Sequence, residues 1–386
     1  MRARWAWVAL GALLLPASAD ILPRAVRKSG AGPYYRIHRG KLWGFMDEKG
    51  KTVIAPQFEE EGDFFAGRAR VLQGDSWGYI DERGKVAIPY HFYQAGDFVE
   101  GRAPVQPEPR SGWGVIDTSG KFIVPPHLGA VGEYSEGLAR FEDWDRIECI
   151  NIDGNATLPY TKADAPEVAF ILHDGSGDDL GFIPCRGGKF GYLDHDGKIA
   201  IAPQFDVAFD FSDSRAVIRQ LKNGYLAYGY IDRSGSILVE PKLDYAAPFS
   251  EGLAAVTVSF QPAKTGVIDK NGNFVIPPDF FSIGPFSEGL APACMINQHC
   301  GFIDHSGKFV IPPRFASAQS FSEGLSLVWS PNGPPPFYVD HEGKTVLKLG
   351  WTAWPFSGGL TVMSLGRRQV YVDHKGKIVG TYESRR

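Results

Sequence analysis

Residues 249–278 read FSEGLAAVTVSFQPAKTGVIDKNGNFVIPP, and this stretch decides the fold. Leu253 to Phe260 is a β-branched and apolar run, the pattern of a strand, here called A. After a turn, Gly266-Val-Ile-Asp269 forms a second strand (B). Asp269-Lys-Asn-Gly272 is a tight turn, and Asn273-Phe-Val-Ile276 is a third strand (C), which Pro277-Pro278 is expected to stop. The aspartate side chain accepts bonds from backbone N–H groups just downstream, and glycine tolerates the left-handed conformation. Proline has no N–H to give a ladder.

The same turn, followed by a hydrophobic run and commonly a proline, opens at Asp47, Asp81, Asp117, Asp194, Asp232, Asp269, Asp304, Asp340 and Asp373. A degenerate copy stands at Asn151, and the intervals run from 33 to 43 residues. A period of that size means a tandem array of small supersecondary units rather than several domains. The joins carry a second phrase, Phe249-Ser-Glu-Gly-Leu-Ala, repeated at Phe286 and Phe321 and, in related form, at Phe98 and Tyr134. Its aromatic residue is suited to the core and its glycine to the bend that launches strand A. Ten three-stranded units are expected, from Tyr34 to Tyr382. The fourth is worn, and Tyr160 to Gly188 is a polar excursion.

Strand B opens with Trp43-Gly44, Trp77-Gly78 and Trp113-Gly114, then Phe190-Gly191, Tyr228-Gly229, Thr265-Gly266 and Cys300-Gly301. The glycine always lies three residues before the aspartate, which predicts a close backbone approach beside a packed aromatic. On these motifs together the chain resembles the bacterial WG (KWG) repeat family over nearly all of residues 34–383. The resemblance implies an all-β repeat array in bacterial, often exported, proteins, and carries over no catalytic residue. Units four, nine and ten depart from it by losing the WG pair. Short A–B and B–C turns with a longer C-to-A join suit propeller blades. The alternative is an open, twisted β-solenoid, which has no limit on the number of units.

Residues 1–19 are expected to be a signal peptide: Arg2 and Arg4, an apolar run from Trp5 to Leu15, then Ala17-Ser18-Ala19 before Asp20. The apolar run is too short for a membrane anchor, which needs about 20 residues. Residues 20–33 would be a linker and 34–386 the array. Without the leader the chain holds 38 Lys+Arg against 44 Asp+Glu, formally −6, which argues against nucleic acid as a partner. Stable membrane insertion is not expected either, and the chain is read as an exported, periplasmic or secreted monomer.

Cys294 ends one strand A and Cys300 begins the adjoining strand B, so the two are expected to face each other and form a structural disulfide. Pairing of Cys149 with Cys185 is left open. His195, His305, His341 and His374 each follow a turn aspartate. One zinc needs all its ligands about 2 Å away, whereas equivalent atoms of neighbouring repeats sit roughly 10 Å apart, so these read as exposed turn residues. The turn aspartates offer calcium too few oxygens and read as structural. Glu100, Glu136, Glu251, Glu288 and Glu323 recur in the joining phrase, which marks them as architectural rather than as a glycosidase pair. No catalytic, cofactor-binding or metal residue is assigned.

The expected function is a non-enzymatic binding or interaction scaffold for a protein or glycan partner. The alternatives are a polysaccharide or peptide hydrolase with its site in a central channel, and a purely structural envelope protein. Candidate contact regions are Tyr160 to Gly188, the Pro104 to Ser111 turn and the Pro331 to Phe337 turn, which could equally be tolerated insertions.

Overall fold

A computed structural model describes residues 34–142, 147–150, 156–160, 171–173, 179–182, 185–186, 189–222, 225–296, 299–333, 335–348, 353–365 and 368–382. The leader, the linker and Asn151 lie outside the described residues. Among the described residues every regular element is a β-strand, and no helix is long and apolar enough to cross a membrane.

Nine small antiparallel sheets follow one another as blades, spanning residues 35–58, 60–92, 94–128, 130–205, 207–243, 245–280, 282–315, 317–348 and 353–382. Blades 2 to 8 have four strands rather than the three expected. The extra one is a short strand cut from the join, such as Glu60–Glu61 in blade 2, ahead of Ala69–Gln73 (A), Ser76–Ile80 (B) and Val86–Phe92 (C). In blades 2, 3, 6, 7 and 8 it is two residues long, too few to show an alternating pattern in sequence; in blades 4 and 5 it runs Ala130–Ser135 and Val207–Ser212.

The blades number nine, against ten expected units, because the fourth and fifth share one. Strand A of blade 4, Leu138–Glu142, pairs directly with strand B at Phe190–Asp194, with Leu138 opposite the turn aspartate Asp194. Blade 6 has the same register, Leu253 opposite Asp269. Residues 143–189 are therefore an insertion inside one blade, wider than the expected excursion. Within it Ile147–Ile150 pairs with Ala156–Tyr160 and Cys185–Arg186, and the backbone register sets Cys149 opposite Cys185.

Each DxxG turn closes as its chemistry requires. Asp269 Oδ1 accepts from the backbone N–H groups of Asn271 and Asn273, both at 2.9 Å, and Gly272 has φ +83°. Proline does not stop strand C. The strand runs through it, Phe274–Phe280, with a bulge that sets Thr265 opposite Phe280 but Val267 opposite Ile276. The prolines thus occupy residues that make no ladder bond. The bulge also explains the glycine that accompanies the tryptophan slot in the first seven blades. A Cβ on Gly78 would lie 2.8 Å from the Ile88 carbonyl oxygen, and on Gly301 2.3 Å from that of Ile311.

The ring is closed. Nine apolar clusters fill nine seams between successive blades, where an open row of nine sheets would have eight. The ninth cluster joins Leu360, Val362 and Tyr371 of blade 9 to Tyr35 and Met46 of blade 1. The closing seam repeats the bonds of the others. Tyr79 Oη donates to the Gly96 carbonyl of the next blade at 2.8 Å, Tyr230 to Ala247 at 2.6 Å, and Tyr371 to Arg36 at 2.8 Å. Tyr35 in turn donates to the Gly358 carbonyl, and its ring meets that of Tyr371 edge-on at 5.6 Å. The fold is a nine-bladed β-propeller, not an open solenoid.

Candidate functional site

The joining phrase builds the seams on one side of the ring. Its glutamate stands at positive φ, as at Glu251 (+53°), Glu288 (+56°) and Glu323 (+55°), and so projects toward the next blade. There it accepts from the backbone N–H of the following glycine: Glu100 from Gly137 at 2.8 Å, Glu323 from Gly359 at 2.8 Å. A histidine of that next blade completes each clasp. His195 reaches Glu100 at 3.0 Å, His305 reaches Glu251 at 2.9 Å, His341 reaches Glu288 at 3.0 Å and His374 reaches Glu323 at 3.3 Å. The rings also lie on the joining aromatic of their own blade, His341 stacked on Phe321 at 4.2 Å and His374 on Phe356 at 4.1 Å. These histidines remain turn residues with exposed side chains and serve in addition as inter-blade struts. Glu100 is partly buried, which raises its pKa, but the bonds from His195 and Gly137 outweigh this and hold it below the ordinary carboxylate value.

Cys294 and Cys300 are cross-strand partners in blade 7 and are joined by a disulfide. Both are buried, and Cys300 stands in the slot that holds tryptophan in the first three blades. In blade 6 the same pair of positions holds Thr257 and Thr265, hydroxyl to hydroxyl at 3.0 Å and buried.

The first blades use these positions differently. Trp77 and Trp113 are only half buried and line a cleft of about 470 Å³ that crosses blades 2 to 5. Arg70, on strand A of blade 2, lies over the Trp77 ring at 5.2 Å. Its guanidinium also meets Asp97 of blade 3 at 2.8 Å and donates to the Ala95 carbonyl at 2.6 Å. Arg140 of blade 4 meets Asp210 of blade 5 at 2.7 Å in the same cleft. Outside it, the buried Arg36 of blade 1 makes the equivalent bond to Asp63 of blade 2 at 3.1 Å. Gln94 and Glu133 from the short strands complete the polar lining. Beneath the cleft, burial and then the Asp97 charge raise the Tyr79 hydroxyl far above its ordinary pKa, so it serves as a neutral donor.

Sequence reasoning missed these arginine–aspartate pairs, although a fixed offset announces them: Arg36 to Asp63 and Arg70 to Asp97 are both 27 residues apart. Of the expected contact regions, Pro104 lines the cleft, while the turn beyond it is closed on itself by Ser111 Oγ donating to the Glu108 carbonyl at 2.8 Å. Among the described residues no group of three or more His, Cys, Asp or Glu side chains is placed to hold a metal.

Comparison with known proteins identifies the repeat. The model of the "WG containing repeat" family matches seven times, at residues 43–76, 77–106, 113–143, 190–225, 228–258, 266–297 and 301–328. The chain belongs to this family. No curated protein matches it. Solved structures resemble it loosely: BamB from Moraxella catarrhalis at 10% identity and TM-score 0.32, over 89% of this chain and 94% of that one. TolB from Acinetobacter baumannii matches at 10% identity and TM-score 0.31, over 73% and 77%. The tricorn protease matches at 12% identity and TM-score 0.24 over 94% of this chain, which spans only 40% of that protein.

Proposed function

We propose that this member of the WG repeat family is an exported, non-enzymatic propeller that binds a protein or glycan partner in the cleft across blades 2 to 5. The observation that carries the reading is the pairing of two half-buried tryptophans, Trp77 and Trp113, with polar side chains from four successive blades. An aromatic face that is neither packed away nor isolated, beside a few convergent polar groups, is what a binding site requires. The aspartate that lines the cleft and the buried one behind it support binding over hydrolysis. Asp97 and Asp210 each hold an arginine at ion-pair distance, rather than facing one another across a reacting bond. Export is supported by the leader pattern of residues 1–19 and by the Cys294–Cys300 bridge, since disulfides persist in oxidising compartments.

The test immobilises the mature protein and passes over it an envelope extract of the native host. Saturable retention of a partner by the native chain, lost with Gln94→Ala or Trp113→Ala, is the expected result. Turnover of a polysaccharide or peptide that a single substitution such as Asp210→Asn abolishes would overturn it.

A further inference from the structure

We infer that the partner of this cleft is an extended, neutral glycan chain, gripped along an arc of aromatic side chains; this rests on the binding reading above. The tryptophan slot is filled by an aromatic in five consecutive blades: Trp43, Trp77, Trp113, Phe190 and Tyr228. All five are half buried, whereas the next two slots, Thr265 and Cys300, are buried and occupied by a hydrogen-bonded pair and a disulfide. The aromatic arc therefore has a defined end, at the junction of blades 5 and 6. Equivalent positions in packed sheets repeat about every 10 Å, so five slots describe an arc on the order of 40 Å.

Equally spaced aromatic faces suit a ligand that is itself periodic and presents flat C–H faces, which is the character of a chain of pyranose rings. The polar groups agree. Arg70 with Asp97 and Arg140 with Asp210 are ion pairs, so the cleft offers planar donor and acceptor sets with their charges matched. Such pairs hydrogen-bond vicinal hydroxyls and give no net attraction to a polyanion. At the arc's far end Arg219 lies over Tyr228 at 4.7 Å, and Tyr245 meets the same ring at 5.6 Å. An extended peptide fits less well, because its side chains seek apolar pockets between polar backbone contacts, and the cleft supplies half-buried rings and ion pairs instead.

The experiment measures binding of the mature protein, by calorimetry, to neutral α- and β-linked gluco-oligosaccharides from disaccharide to octasaccharide, with a panel of extended peptides alongside. Affinity for one linkage series should rise about tenfold or more with chain length, the increment of roughly 1.4 kcal/mol that one further occupied slot gives. Trp113→Ala should lower it by a similar factor. Gln94→Ala and Asp210→Asn, both at exposed side chains, should lower it several-fold at an unchanged melting temperature. Saturable peptide binding that needs Gln94, with no saccharide bound, would overturn the glycan assignment and leave the cleft a binding site. No saccharide binding, together with envelope-partner retention indifferent to all three substitutions, would overturn both.

Discussion

Blades 2 to 4 and blades 6 to 8 are built from one repeat, yet they use its variable positions for opposite ends. In the first arc the tryptophan slot holds Trp77, Trp113 and Phe190, all partly open to solvent. In the second it holds Thr265 and Cys300, both sealed in cross-strand pairs, and Pro336. The residue before the joining aromatic follows the same division. Asp63 and Asp97 lead into Phe64 and Phe98, and each binds an arginine of the preceding blade. Pro248 and Pro285 stand there before Phe249 and Phe286, and Ser320 before Phe321. The DxxG turn holds both arcs alike, as do the WG glycine in all but blade 8 and the joining glutamate in all but blade 2. A repeat protein thereby keeps its seams constant while one arc is left polar and open.

Substitutions in matched places test that division, and the largest contrast should be at the residue before the aromatic. Asp97→Ala strands the mostly buried Arg70 and should lower unfolding free energy by about 3–5 kcal/mol, as breaking a buried pair does. Ser320→Ala, at the same place in blade 8, removes only the bond from Ser320 Oγ to the Pro285 carbonyl and should lose about 1 kcal/mol. Urea unfolding of the two variants reads the difference. Equal losses would mean that the arcs do not differ in their seams.

Reducing the Cys294–Cys300 bridge should come next. The loop it closes is short, with a sequence separation of 6, and loop-closure entropy gives about 2 kcal/mol for it. The melting temperature should fall on reduction while ligand affinity of the first arc stays unchanged. A parallel loss of affinity would show that the arcs are coupled. Smaller still, Tyr79→Phe and Tyr230→Phe each delete one seam bond, and each should lose about 1 kcal/mol in unfolding experiments. These two should agree across the arcs, since the bond belongs to the shared frame.

Acid should have the smallest effect per residue and should also act on both arcs. Backbone bonds to the carboxylate lower the pKa of Asp81, Asp269 and Asp373, and bonds from Ser119 and Ser306 lead in lowering Asp117 and Asp304. A carboxylate with a folded pKa below its ordinary 3.8 binds fewer protons folded than unfolded. Its contribution is present above that value and is lost as pH falls through the lowered one. Stability followed below pH 4 should therefore decline, and an increase on acidification would contradict the turn geometry.

The parts of this molecule that are local were legible in sequence, and the parts that depend on accumulation were not. Asp269, Gly272 and Gly266 act within one hairpin, so their spacing alone announced the turn and the close approach. The two-residue strands, such as Glu60–Glu61, are too brief to leave a pattern, and the bulge that carries Pro277 and Pro278 through strand C reads as a stop when seen residue by residue. Asn151-Ile-Asp-Gly imitates a repeat turn, which is why one blade with a long insertion counted as two units. The histidine clasps join residues about one or more repeats apart, such as Glu251 and His305, and depend on how neighbouring blades stack. Closure depends on the sum of nine small rotations, and no single repeat encodes it.

That closure is the claim on which the shape of the arc rests, and one measurement reaches it directly. With tyrosines selectively labelled, ring protons of Tyr35 and Tyr371 should show a nuclear Overhauser contact, since the rings lie 5.6 Å apart across the last seam. Both resonances assigned and rigid, with no contact between them, would mean that the blades form an open row.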